Sequence, residues 1–84
     1  MPKFLDYHSK MPQLPPEAVK AVQKDIKTGK ADSFGVKPIN GFVAKKGMGW
    51  CLTEAPSADA VCKSHESKGM KLGRGDVHEI TAFV

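Results

Sequence analysis

Hydrophobic and polar positions along the chain change period several times, and each change predicts an element. "KFLDYH" at residues 3–8 is a short apolar-rich run closed by "SKMPQLPP", which predicts a first strand. In "PPEAVKAVQKDIKTGK" the period lengthens. Ala18, Val19, Val22 and Ile26 recur at helical spacing, while Lys20, Gln23, Lys24 and Lys27 fall on the opposite face. Pro15 or Pro16 suits a first turn, Glu17 complements the positive end of the helix dipole, and Gly29 can end the helix. "FGVKPINGFVAKKGMGWCLTEA" then reads as a hairpin, with apolar-rich arms at roughly 36–45 and 49–55 about a turn, "KKGMG", whose glycines tolerate positive φ. Pro38 cannot donate to a ladder, so the first arm is expected at a sheet edge. Ser57 is a good N-cap for "ADAVCKSHESK", Gly69 ends that helix, and "GMKLGRG" leads into a last strand, "DVHEITAFV".

The resulting order, strand–helix–strand–strand–helix–strand, is that of the split βαβ. It predicts one α+β domain over residues 1–84 with a ferredoxin-like fold, a four-stranded antiparallel sheet carrying both helices on one face. The second strand lies at an edge in that topology, which agrees with Pro38. In the last strand Val77, Glu79, Thr81 and Phe83 alternate with His78, Ile80, Ala82 and Val84. The second set is the more apolar and is expected to face the helices. The other face of the sheet is expected to include Phe4, Phe42 and Phe83, which predicts that a second copy of the chain covers it.

Composition narrows the functional classes. Apolar residues make up 40% of the chain, so disorder is not indicated, and no apolar run approaches a membrane span. The N-terminal "MPKFLDYHSK" lacks a signal-peptide core, so a soluble, cytoplasmic protein without a membrane partner is expected. The net charge of +4 comes from scattered lysines with Arg74 as the only arginine, and no aromatics interleave a basic patch, so nucleic acid is not expected as a partner. Cys51 and Cys62 are too few for a disulfide framework, and a reducing compartment disfavours a bridge between them. No nucleophile elbow, phosphate-binding glycine loop or carboxylate pair at hydrolytic spacing occurs. No catalytic residue is assigned, and an enzyme is not indicated.

Candidate chemistry gathers around the second helix. Cys62 and His65 lie three residues apart and share a face. His65 falls about 12 Å along that helix, level with Cys51 on the third strand, which predicts one constellation of His65, Cys62 and Cys51. Taking the first and third strands as parallel brings His8, Glu54 and His78 to one rim as a second constellation. Strand alternation, however, sends Cys51 and Glu54 to opposite faces. Imidazole, thiolate and carboxylate suit nickel, zinc or copper. The plainer alternatives are a half-buried histidine at a helix–sheet junction and a small core cysteine.

The string "CLTEAPSADAVCKSHESKG" resembles the Cys-x-x-Glu-Ala-Pro, Ala-Val-x-x-x-His-x-x-x-Gly pattern of a family of small bacterial and archaeal proteins of unknown function. The described type of that family is a nickel-binding protein. The matching positions are Cys51, Glu54, Ala55, Pro56, Ala60, Val61, His65 and Gly69, with "VHEI" near the family's closing segment and "MPKFL" like its first strand. The resemblance implies a ferredoxin-like homodimer and makes nickel or another transition metal the favoured ligand; in a metal-binding reading His65, Cys51 and Glu54 are the leading ligands. The sequence departs from the family at "LDYH", where relatives often carry a valine–glutamate–arginine run; this removes a glutamate and adds His8. Three readings follow: a metal-binding module for sequestration or sensing; a small-molecule binder or cofactor-free enzyme using His65 and Tyr7 as acid–base groups in a cavity between helices and sheet; and a protein-interaction module docking on the sheet or its Pro38 edge.

Overall fold

The computed structural model describes residues 1–81, and within them the elements follow in the expected order. They are β1 (Lys3–His8), α1 (Pro16–Thr28), β2 (Lys37–Val43), β3 (Gly49–Glu54), α2 (Ala58–Ser67) and β4 (Val77–Ile80), with a short 3₁₀ turn at Arg74–Asp76 ahead of β4. Local chemistry sets the helix ends. Pro16 opens α1 after an extended Pro15, and Gly29 closes it at φ 71°, a left-handed conformation, with its N–H donated to the Asp25 carbonyl. Ser57 caps α2 by accepting the Ala60 N–H.

The four strands form one antiparallel sheet in the order β2-β3-β1-β4, the ferredoxin-like arrangement. β2 is an edge strand, and its register shifts between Pro38 and Asn40, where the proline interrupts the ladder. One expectation about strand direction is corrected. β1 and β3 are antiparallel, pairing Lys3 with Glu54 and His8 with Gly49. In a split βαβ unit the inserted strand runs against both strands it separates, so His8 and Glu54 lie at opposite ends of the sheet.

The pairing also fixes the faces. Phe4, Asp6 and His8 on β1 stand opposite Thr53, Cys51 and Gly49 on β3, and Val77 on β4 pairs with Asp6; this is the face under the helices. Phe4, Val36, Ala55, Val61, Cys62, Leu72 and Val77 are its buried apolar core. Two further expectations are therefore corrected. Val77, not the set led by His78 and Ile80, faces the helices, because its partner Asp6 lies beneath α2; Ala82, Phe83 and Val84 lie outside the described residues. Phe4 belongs to the core and not to the open face. That face carries Phe42, as expected, together with Leu5, Tyr7, Trp50 and Leu52, with the Tyr7 and Trp50 rings 5.6 Å apart and Phe42 53% exposed.

The two helices are held unequally. α2 buries Val61, Cys62, Ser64 and His65, whereas α1 buries no residue and leaves Val19 40% exposed. α1 rests on β2 and roofs a cavity of about 420 Å³ lined by Val19, Val22 and Ile26 from the helix and by Val43, Cys51 and Met70 below.

Candidate metal centre

β1 alternates a core residue with residues of the open face. On its buried side it carries Phe4, then Asp6, then His8, so an apolar position is followed by two ionisable ones. Antiparallel pairing sets Cys51 beside Asp6. α2 brings His65 down onto the same patch. Asp6 is fully buried, and His8 and His65 are each 6% exposed.

Asp6, His8, Cys51 and His65 each offer one ligand atom, and these atoms all lie within 4.8 Å of one another. The geometry centres on Asp6 Oδ2. His8 Nε2 is hydrogen-bonded to it, and His65 Nε2 lies 3.3 Å away. The two imidazole rings are 5.1 Å apart and inclined by 33°. His65 Nδ1 lies 2.8 Å from the Val61 carbonyl, a contact in which only the nitrogen can donate. In the neutral ring, Nε2 then carries the lone pair and points it at a carboxylate oxygen. Two acceptors face one another across that gap, an arrangement that a proton or a metal cation stabilises.

The electrostatics run the same way. Burial pushes the Asp6 carboxyl above its usual range, against the opposing pull of His65 and His8. Burial first, then the adjoining Asp6 carboxylate, pushes the Cys51 thiol up to about 12. Asp6 Oδ1 is buried without a hydrogen-bond partner. A divalent cation would reverse these costs: it would favour the carboxylate and the thiolate together and occupy the orphaned oxygen. Donor atoms of a tetrahedral site with bonds of about 2.0–2.3 Å stand roughly 3.3–3.8 Å apart, so the widest pair would close by about 1–1.5 Å while His8 Nε2 and Asp6 Oδ2, now hydrogen-bonded, would separate. Two imidazoles, a thiolate and a carboxylate fit a borderline transition metal better than magnesium or calcium.

The expected site residues are thus redistributed. The structure brings His65, Cys51 and His8 together and adds Asp6. It does not bring in the other three. Glu54 lies toward the opposite face and end, 3.6 Å from Lys3 Nζ. Cys62 is packed in the apolar core, and both cysteines are free thiols. His78 pairs with Leu5 on the open face and is exposed. The rim constellation of His8, Glu54 and His78 does not form, because it depended on parallel β1 and β3. The proposed acid–base pair also separates: Tyr7 stands with Trp50 on the open face, across the sheet from His65. Asp6 escaped sequence reading although its signal was present. "FLDYH" places an acid and a histidine two apart on a strand, hence on the same face as Phe4.

No family model and no curated protein matches this chain. Among solved structures it is similar to the crystal structure of SCO4226 from Streptomyces coelicolor A3(2), with a TM-score of 0.71 and 24% identity over 98% of this chain and 99% of that one. That likeness supports the ferredoxin-like fold. Among the described residues no helix is long and apolar enough to cross a membrane.

Proposed function

We propose that this protein binds one transition-metal ion per chain through Asp6, His8, Cys51 and His65, and that it works as a homodimer joined through the open face of the sheet. The observation that carries the metal reading is the convergence of four donors from β1, β3 and α2 within 4.8 Å. The buried Asp6 Oδ1, which has no hydrogen-bond partner, supports it. Nickel is the favoured ion on the sequence resemblance, with zinc and copper compatible with the same donors. Burial of three donors, with Cys51 partly buried, suits slow exchange, hence sequestration or sensing. The aromatic open face supports the dimer, since Tyr7, Trp50 and Phe42 line one side of a very small domain.

The test uses untagged protein stripped with chelator and titrated separately with nickel, zinc and copper, with bound metal measured by elemental analysis. One ion per chain is expected. His65→Ala and Cys51→Ser should each weaken binding by at least tenfold, while Glu54→Gln and His78→Ala should leave it unchanged. Uptake that survives His65→Ala, or that vanishes with Glu54→Gln, would remove the site from this position.

A further inference from the structure

The cavity beneath α1 does not end at its apolar walls. Beside it lies a narrow slot of about 80 Å³, and Val22, Ile26, Asn40, Gly41, Cys51 and Met70 line both spaces. The slot also reaches Thr53, Ser64 and Lys68, with Thr53 buried and the Lys68 side chain 47% exposed at the surface. The Thr53 side-chain oxygen is buried and has no hydrogen-bond partner, although the residue is only 4% exposed. A buried hydroxyl without a partner is uncommon and normally has a reason. Lys68 is the only cation lining the slot, and it is loosely held: its Nζ lies 3.6 Å from Asp32 Oδ2 and 3.4 Å from Ser64 Oγ.

Two features of the chain keep this space open. α1 presents an apolar face yet buries none of its residues. On the floor, β2 places Gly41 opposite Cys51, on the helix side of the sheet. A Cβ at Gly41 would come no nearer than 3.9 Å to a non-neighbouring atom, the Trp50 carbonyl oxygen. Its backbone is not left-handed, so neither conformation nor crowding requires glycine there. What the glycine does is leave the chamber unfilled. A chamber of about 420 Å³ with apolar walls and a few convergent polar groups has the size and character of a small-molecule site.

We infer that this chamber binds a small organic monocarboxylate, with its apolar body under α1 and its carboxylate in the adjoining slot, between the buried Thr53 hydroxyl and the Lys68 ammonium at the surface. Thr53 supplies a hydroxyl donor, Lys68 the opposite charge, and the walls supply apolar burial. The assignment does not depend on a metal and uses a different part of the protein from the donors around Asp6, although Cys51 and His65 border both.

Octanoate serves as the probe, with 1-octanol and octylammonium as matched controls, titrated calorimetrically into chelator-treated protein. Octanoate should bind with one molecule per chain, and more tightly than either control. Gly41→Leu should fill the chamber, abolish octanoate binding and raise the melting temperature. Val22→Phe fills the same space from the helix side and gives an independent reading if the first variant folds poorly. Thr53→Val should leave the unliganded fold as stable as before or more so, and should weaken octanoate binding roughly tenfold with little effect on 1-octanol. Lack of octanoate binding without metal, equal affinity for octanoate and 1-octanol, or undiminished binding in both filling variants would each overturn the assignment. Metal uptake by the same variants is read separately, so failure here is distinguishable from failure of the metal site.

Discussion

His65 Nε2 stands 3.3 Å from Oδ2 of Asp6, with the other nitrogen of the ring committed to the Val61 carbonyl. Asp6 Oδ2 also holds His8 Nε2. One buried carboxylate oxygen therefore organises both imidazoles, and its protonation state governs the metal-free site.

Asp6→Asn should stabilise the metal-free protein at neutral pH while weakening metal binding. Burial raises the Asp6 pKa, so between its ordinary value of 3.8 and the raised value the folded state binds more protons than the unfolded one. Stability contributed by this group therefore falls as pH rises through that window, and the penalty is complete above it. The neutral isostere removes that penalty. Melting temperatures in chelator should show the variant gaining on the wild type as pH rises, by about 1 kcal/mol or roughly 4–8 °C. A loss of stability in the variant would mean instead that the pull of His65 and His8 on the carboxylate outweighs the cost of burying it.

Cys51 should alkylate slowly near neutral pH. With its thiol pushed up to about 12, little thiolate exists between pH 7 and 9, and the rate should climb steeply above that range. Peptide mapping after iodoacetamide treatment resolves Cys51 from the core residue Cys62. Bound metal should suppress labelling of Cys51 further and release about one proton on binding.

Asp32→Ala should destabilise the fold by about 2 kcal/mol at pH 7. Asp32 Oδ1 accepts the N–H groups of Phe34 and Val36, and Oδ2 accepts the Ser64 hydroxyl, tying the loop after α1 to α2. Burial alone would raise its pKa; the Ser64 hydroxyl, those two N–H groups and Lys68 outweigh that and lower it. The stabilisation is therefore present above the ordinary value of 3.8 and is lost as pH falls through the lowered one. Urea unfolding at pH 7 and at pH 2 should show the gap between variant and wild type closing in acid.

Trp50→Lys should yield a folded monomer. Trp50 sits on the open face beside Tyr7, away from the core and from the donors around Asp6. Light scattering should report one chain per particle, with the far-ultraviolet circular dichroism unchanged. A wild type that is already monomeric at micromolar concentration would remove the dimer.

Turn and cap chemistry made most of the fold legible. Ser57, Gly29 and Pro16 sit where local rules put them, and Pro38 marks the edge strand on steric grounds alone. Strand direction and the choice of buried face were less legible, because both depend on pairing between distant segments. A single wrong direction, for β1 against β3, was enough to scatter the site: it drew Glu54 and His78 toward His8, and it hid the fact that Asp6 meets Cys51. His65 and Cys51 survived that error because their juxtaposition depends on α2 folding back along β3, which the helix start at Ala58 already fixes. Cys62 was misread for a different reason. Spacing says that it shares a side of the helix with His65, but not that Val77 and Leu72 would claim it for the apolar core.

The unequal seating of the helices has a kinetic consequence. α1 buries none of its side chains, while α2 locks four of its own beneath the surface. Amide protons of α1 should therefore exchange with solvent at a far lower opening energy than those of α2, without global unfolding. The domain thus pairs a firmly anchored flank with a loosely seated one, and the difference should be readable amide by amide.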